Sequence, residues 1–422
     1  MQLTDDQKAA AAAFTAFMVS DDKEMVISGP AGVGKSTLLK HLMTSQDHIK
    51  IQGLLGVDPV ENWELSATTN KAAEVLQRSS GKQAQTVHSL LGIAVTTDFA
   101  SGRQTLRRKP TSPILRDSLL VIDECSMIDR QLDRLIDEST INCKILFVGD
   151  HCQMAPVMED LSPVFKRNVP IELKQIVRSQ GTPPITDLCN QLRQTVETGV
   201  FRPILGVPGC IDYLSPEQAQ QELRHYFVEN PETLGHSSRI LAYRNQQVID
   251  FNNWIRAERG MPSELTENEW VISNASTYFT GGGSARLRVE QEVRIISIGE
   301  IENFAIGGGE RLQVREVHTS AGPVWMAVNQ EHLNAYLKYY SKMKQWMEFY
   351  RLKEWIADLR PRDACTVYKA QGSTYQTVFV DLKDIGRCTN ADQAARMLYV
   401  ACSRPTHRIC FIGTLPDRFQ GC

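Results

Sequence analysis

At 422 residues, with 42% hydrophobic and 23% charged side chains, the chain is too long for one ordinary domain and has the balance of a globular protein. A net charge of −3, from 46 basic and 49 acidic residues, excludes a protein that holds nucleic acid by bulk positive charge, so any such site must be a local patch. Ten cysteines without a C-x-x-C pair argue against zinc, "MQLTDDQK" lacks the order of a signal peptide, and the longest apolar run is too short to span a bilayer. The expectation is a cytoplasmic protein with reduced thiols and no membrane partner.

In chain order, Leu3 to Phe17 is alanine-rich and predicts a helix capped by Thr4. "EMVISGPAGVGKSTLLKHLM" reads as strand, glycine-rich loop and helix, and "LSATTNKAAEVLQ" repeats that order. "SLLVIDECSMID" and "CKILFVGDHCQMAPV" add two short apolar strands, which together argue a parallel α/β sheet. Between the second and third of these four segments "TTDFASGRQTLRRKPTSP" is polar and basic around a Ser-Gly turn, the pattern of a small inserted hairpin. The second half resumes the α/β order in "SRILAYRNQQVIDFNNWIR", "QTVFVDL" and "HRICFIGT". Interrupting it, residues 270–328 form short strands punctuated by "TGGGS", "IGGGE" and "SAGP", the pattern of a small barrel or sandwich. A long stretch without glycine or proline follows, and Tyr336, Tyr339, Tyr340, Met343, Met347 and Tyr350 keep helical spacing in it.

Gly29-Pro30-Ala31-Gly32-Val33-Gly34-Lys35-Ser36 fits G-x-x-x-x-G-K-[ST] between a strand and a helix. Such glycines turn backbone N–H groups toward phosphates, and the helix N-terminus adds its positive dipole. Lys35 is expected to reach the β- and γ-phosphates of ATP, Ser36 to ligate Mg²⁺, and Thr37 to follow in the helix. Asp123 and Glu124 close an apolar strand downstream. Asp123 suits Mg²⁺ and Glu124 suits a base that polarises the attacking water. Gln153, after Asp150, can sense a γ-phosphate, although by spacing alone it is an ordinary loop glutamine.

Taken in order, "GPAGVGKST", "SATTNKAA", "QTVHSLLG", "VIDECSMID", "VGDHCQMAPV", "LKQIVRSQ", "LAYRNQQV", "VYKAQGSTYQTVFV" and "LYVACSRP" resemble the motifs of superfamily 1 helicases, in particular the RecD-like, Dda-type branch. The resemblance runs from Gln7 to Arg404 and implies two RecA-like P-loop domains with ATP between them. These would be residues 1–163, and 164–269 with 364–422. It implies a strand-separating pin within 93–113 and an SH3-like β accessory domain with a helical arm over 270–363. Gln7 resembles the glutamine that reads adenine, Gln153 the γ-phosphate sensor, and Arg178 and Arg404 the arginines that reach the γ-phosphate from the second domain. An arginine so placed stabilises developing phosphoryl charge.

The resemblance further implies 5′-to-3′ movement on single-stranded DNA, in a compact, phage-like monomer working with ss/ds junctions and with single-stranded-DNA-binding or replication proteins. Thr69, Lys71, His88, Tyr243, Asn245, Tyr368, Lys369, Gln371, Gly372, Ser373 and Thr374 match positions along the DNA. Arg107 and Arg108, with Arg103 and Lys109, make the hairpin basic, and Leu106 or Phe99 would be its apolar wedge or its anchor. Trp346 and Trp355 invite a base-stacking reading, but aromatics at helical spacing are more often packing. Two departures stand out. Tyr368 replaces the histidine usual before Lys-x-Gln-Gly, and "ACSRP" puts Pro405 directly after Arg404. The competing readings are a DNA-binding ATPase switch without strand separation and, less favoured because of Glu124, a small-molecule kinase.

Overall fold

Thr4 caps the first helix, as its place before an alanine-rich run predicts. In the computed structural model, which describes residues 3–421 apart from 46, 59, 61, 157–158, 176–181 and 308, its hydroxyl accepts the Gln7 N–H at 3.3 Å. The Gln7 side-chain oxygen accepts the Thr4 N–H in return at 3.0 Å, closing a capping box on helix α1 (Asp5–Val19). The chain divides into two units: Met1–Val95, Leu106–Tyr213 and Ala370–Cys422 make the first, Thr96–Thr105 and Leu214–Lys369 the second.

In the first unit, β1 (Glu24–Ser28) leads through the glycine loop into α2 (Lys35–Ser45), and β2 (Trp63–Ala67) into α3 (Asn70–Ser80). β3 (Ala84–Thr86) and the short α4 (Val87–Leu90) precede the hairpin strands β4 (Ile93–Asp98) and β5 (Arg103–Arg108). β6 (Leu119–Asp123), β7 (Lys144–Gly149) and β8 (Ile171–Glu172) complete a six-stranded sheet in the order β8-β1-β7-β6-β2-β3. Its neighbours are all parallel. The strands are near-continuous apolar runs because both faces are covered. Ile27, Leu119, Val121, Leu146 and Val148 meet Phe14, Leu38 and Leu42 on one face. Val26, Leu120, Ile122, Ile145 and Phe147 meet Leu91, Leu132 and Val164 on the other. The period-two split sends alternate residues of each strand to opposite cores.

The same unit holds α5 (Pro183–Thr198), capped by left-handed Gly199, and all but the last residue of the short strand β9 (Ile211–Leu214). In the second unit, β10 (Ser238–Ala242) is followed by α6 (Asn245–Glu258). Then come β11 (Trp270–Ser273), β12 (Glu292–Gly307), β13 (Glu310–Thr319) and β14 (Gly322–Ala327). Helices α7 (Gln330–Lys342) and α8 (Trp346–Trp355) precede β15 (Leu359–Pro361) and β16 (Ala364–Thr366). A five-stranded antiparallel sheet runs β14-β13-β12-β11-β15. Register shifts at Ile295/Ser297, Ile298/Ile301 and Ala305/Gly307 bend β12. Bulges of this kind re-aim a strand, and here one strand serves two cores. Val293 and Ile295 pack with Val271, Val317 and Leu359, whereas Ile306 packs with Leu312, Tyr340 and Leu352.

The long helical stretch differs from the expectation of one continuous run. It breaks at Lys344, which takes a left-handed φ of 56°, and α8 begins two residues later. The Gln345 N–H returns to the Tyr340 carbonyl at 2.9 Å, so the two helices fold against each other instead of forming one rod. The tyrosine and methionine stripe is accordingly split: Tyr340 is buried, but Tyr339, Met343 and Met347 are exposed.

The hairpin turn lies at Phe99–Gly102, where the Gly102 N–H donates to the Asp98 carbonyl at 2.7 Å. Within the second unit the turn rests on α8. The Trp346 ring occupies the space a Cβ on Gly102 would need, and the Tyr350 hydroxyl donates to the Gly102 carbonyl at 2.9 Å. Phe99 meets Tyr350 edge-on at 6.5 Å. Trp355 lies against Tyr278 at 5.1 Å, so both tryptophans are packing residues. The chain returns to the first unit through β17 (Tyr375–Asp381), α9 (Ala391–Cys402) and β18 (Pro405–Ile412), with β17 and β18 parallel. No helix among the described residues is long and apolar enough to cross a membrane.

Candidate nucleotide site and the loops around it

The glycine loop leaves β1 with the Gly29 N–H donating to the Gly149 carbonyl at 3.1 Å, which ties it to the end of β7. Gly32 and Gly34 take φ of 90° and 80°, conformations that side chains disfavour and that the tight turn of the loop requires. Lys35 donates to the Gly29 and Pro30 carbonyls at 2.7 and 3.0 Å, so its ammonium lies in the loop's concavity. Ser36 and Thr37 follow in the first turn of α2. Gln7 braces the loop: its amide nitrogen donates to the Val33 carbonyl at 2.9 Å and its oxygen closes the α1 cap. A Cβ on Gly34 would strike that amide, so glycine is required there. Gln7 thus fixes the loop's outer wall.

Opposite Lys35, β6 ends in Asp123 and Glu124. Asp123 is pushed up to about 6 by burial and by the charge of Glu124, with Lys35 and the Glu124 N–H pulling the other way. Glu124 takes a left-handed φ of 54°, held by the Thr68 hydroxyl on its carbonyl at 3.0 Å. Strain of this kind persists where the surroundings over-determine it, and such positions cluster at functional sites. Gln153 is 3% exposed. Glu124 Oε2, Gln153 Oε1 and Gln371 Oε1 are buried acceptors with no hydrogen-bond partner. Unpaired acceptors around a lysine and a P-loop suit a phosphate-bound cation and a reacting water, so the residues present fit ATP with Mg²⁺.

The loop after β7 is anchored by residues that sequence reasoning missed. Asp150 is wholly buried and accepts from Arg193 of α5 at 2.5 Å, from the Tyr399 hydroxyl of α9 at 2.6 Å and from the Cys152 N–H at 3.1 Å. Burial alone would raise its pKa, but Arg193, Lys35 and these hydrogen bonds outweigh it and hold the carboxyl below the usual range. Arg396 donates to the His151 and Gln153 carbonyls at 2.6 and 2.8 Å. A lone arginine inside "AARMLYVACS", an otherwise apolar helix, was the available signal. Arg193 sits on an ordinary amphipathic helix and gives none. Pro30 and Ala31 share a cavity with Ile185, Cys189, Tyr399 and Thr406, so the P-loop, α5 and α9 enclose one space.

Arg404 is buried beside this centre. It donates to the Val400 carbonyl at 3.0 Å, to the Ser403 hydroxyl at 2.8 Å and to the Ser373 carbonyl at 3.4 Å. Pro405 is the first residue of β18 and pairs with Tyr375, so the proline begins a strand and leaves the arginine tied to the 371–374 loop. Gln371 is also buried, and its amide donates to the Ser126 hydroxyl at 3.1 Å, in the turn directly after Glu124. Arg178 lies outside the described residues.

Against this geometry, residues 2–200 match the family described as AAA domain, and residues 363–412 the UvrD-like helicase C-terminal domain. The chain is 24% identical to the ATP-dependent DNA helicase dda of Enterobacteria phage T4, over 97% of this chain and 99% of that one. It is 30% identical to the ATP-dependent RecD2 DNA helicase of Deinococcus radiodurans, over 72% of this chain and 42% of that one. The chain belongs to the RecD-like, Dda-type branch of the superfamily 1 helicases. Its fold is shared with a Pif1 helicase from Bacteroides in complex with ADP-AlF3 and ssDNA, at a TM-score of 0.53 and 15% identity, covering 99% of this chain and 94% of that one.

In this helicase the residues expected along DNA fall into two groups. In the first unit, Thr69 caps α3 through the Ala72 N–H at 3.2 Å, and exposed Lys71 lies 5.8 Å from the Tyr375 ring. His88 is half-buried on α4, and burial lowers its pKa against the pull of Asp129, leaving a neutral ring at pH 7. Leu106 packs against the core of Val26, Leu120 and Ile122, and its carbonyl accepts from Gln131 at 3.2 Å, so it anchors the end of β5. Arg107 is exposed, whereas Arg108 donates to the Ser112 carbonyl. Gly372 has a φ of 75°, Ser373 is buried, and Thr374 is exposed. In the second unit, Asn245 and Lys369 line one pocket with Asn274, Arg360 and Thr366, and Lys369 donates to the Asn274 side chain. Burial lowers the pKa of Lys369. Tyr243 and Tyr368 are half-buried.

Proposed function

We propose that this helicase moves 5′ to 3′ on single-stranded DNA and separates duplex strands with the β4–β5 hairpin as its pin. The observation that carries the reading is the buried contact of Gln371 with Ser126, which joins the loop of the Lys-x-Gln-Gly motif to the turn bearing Glu124. A change at the phosphate end of the site therefore has a direct path into a loop that carries the expected DNA residues. The Pif1 neighbour, bound to ADP-AlF3 and ssDNA, supports the pairing of nucleotide and single strand on this fold.

ATP sits on the loop from Gly29 to Ser36, with Lys35 on the phosphates. Ser36 and Asp123 would hold Mg²⁺, which neutralises phosphate charge when bound. Glu124 polarises the attacking water, Gln153 faces the γ-phosphate, and Arg178 and Arg404 stabilise its developing charge. Thr69, Lys71, His88 and the 371–374 loop grip the strand on the first unit, and Tyr243, Asn245, Tyr368 and Lys369 on the second. We assign RecA-like domains to 1–163 and to 164–269 with 364–422, the pin to 93–113, and an SH3-like accessory domain with its folded arm to 270–363. The protein works as a cytoplasmic monomer at ss/ds junctions beside single-stranded-DNA-binding or replication proteins.

The test is ATP hydrolysis with and without single-stranded DNA, beside unwinding of duplexes carrying a 5′ or a 3′ tail. DNA-stimulated hydrolysis and unwinding from the 5′ tail alone are expected, with Lys35→Ala abolishing both. Unwinding only from the 3′ tail overturns the polarity, and stimulated hydrolysis without unwinding leaves a DNA-gated ATPase switch.

A further inference from the structure

The loop Asp150–Gln153 is restrained from several elements at once. Asp150 takes Arg193 from α5 and Tyr399 from α9, and Arg396 of α9 holds the carbonyls on both sides of Cys152. His151 Nδ1 lies 2.8 Å from the hydroxyl of Ser28, the last residue of β1 before the P-loop. Glu197, one turn beyond Arg193, faces Arg193 at 3.2 Å and His151 at 3.7 Å. The loop thus cannot shift without moving α9, and α9 ends two residues before Arg404, whose guanidinium bonds back to Val400 of that helix. Gln153 and Arg404, to which the reading above gives the γ-phosphate, are both tied to α9.

A buried carboxylate with two charge-assisted or hydroxyl donors is costly to strip of either one. Shape alone did not require it, since an apolar contact between α9 and the β7 loop would pack as well. Its geometric effect is specific: Tyr399 and Arg396 are three residues apart on one face of α9, and they fix the loop at Asp150 and at Gln153 respectively.

We propose that Asp150, Arg193, Tyr399 and Arg396 form a latch that positions Gln153 for the γ-phosphate, with Tyr399 and Arg396 as positioning residues that act through Gln153 and set its distance to Arg404. The latch rests on the ATPase reading above and adds to it the residues that keep the two γ-phosphate contacts in register. It acts on a triphosphate and is indifferent to a diphosphate, because Gln153 serves only the γ-phosphate.

The test is a double-mutant cycle in the full chain, with Tyr399→Phe, Gln153→Ala and the pair, read as kcat and KM for DNA-stimulated ATP hydrolysis and as ADP affinity. Tyr399→Phe keeps the ring and removes one hydrogen bond to a buried charge. The expected loss is about tenfold in kcat, with KM and ADP affinity each within about twofold as for removal of a contact made only in the transition state. The double variant is expected to be no slower than Gln153→Ala alone. Additive losses, or an equal loss of ADP affinity, overturn the latch and reduce Tyr399 to packing. Asp150→Asn, which keeps the shape and loses the charge, serves as the second variant if Tyr399→Phe melts early. It is expected to show the same kcat-only signature. Wild-type protein without DNA-stimulated hydrolysis would sink the ATPase reading itself, whereas a normal wild type with an additive cycle sinks the latch alone.

Discussion

Gln371 shows how a side chain changes meaning between sequence and structure. In the sequence it is one polar residue in a polar loop. In the structure it is buried, with its amide on Ser126 and its oxygen unpaired. Gln371→Ala is expected to lower the number of base pairs opened per ATP hydrolysed by about tenfold, the scale of a lost buried hydrogen bond. Paired unwinding and ATPase assays check this, and an unchanged ratio makes the loop a strand cap. Asp123 gives a second expectation. Its pKa is raised to about 6 in the folded protein, from 3.8, so between these values the native state binds more protons than the unfolded one. Stability from this group therefore grows as pH falls from 7 toward 5 and is lost as pH rises through about 6. Thermal melting at pH 5 and pH 7 should show a pH response in the wild type that Asp123→Asn lacks. In its proposed role of holding Mg²⁺, Asp123 must first give up that proton, so Mg²⁺-dependent hydrolysis should weaken over the same fall in pH.

At the level of elements, the hairpin is the clearest case. Its basic residues and Ser-Gly turn were legible, and so was a β4–β5 pair. What rested on α8 was not, because the contact spans residues 102 and 350, and no local pattern encodes a partner so distant. Gly102 carries the contact: a left-handed φ of 71° and a Trp346 ring in the place of its Cβ. Gly102→Ala is expected to loosen the turn from α8 by about 1 kcal/mol or more. Faster amide exchange in residues 99–102 and slower unwinding, with DNA-stimulated hydrolysis retained, would register it. Equal exchange would mean the turn is held by other contacts. The split of the arm at Lys344 was also hidden, since lysine carries no signal for a left-handed φ. Conversely, the P-loop, the acidic strand end and the capped first helix were readable because each is encoded within a few consecutive residues.

Across the whole molecule, the order of motifs located the nucleotide centre and implied the fold, while the composition said only that the chain is large and globular. The parallel sheet was legible from apolar runs flanked by helices, since strands buried on both faces need such runs. The links between distant segments were not, and they are what hold the nucleotide centre together. Asp150 meets Tyr399 across 249 residues and Gln371 meets Ser126 across 245. α9 is buried along every residue from Ala394 to Cys402, as a helix at the centre of a unit must be.

That arrangement has a consequence for how the protein is made. The P-loop and the strand ending at Gly149 leave the ribosome early, but the carbonyl of His151 waits for Arg396, a further 245 residues along the chain. At ordinary rates of synthesis the interval is roughly 12–50 seconds. A nascent chain therefore carries the glycine loop long before it carries the helix that holds the loop after β7. Until residue 399 has emerged, Asp150 and the His151 carbonyl lack the partners that α9 supplies.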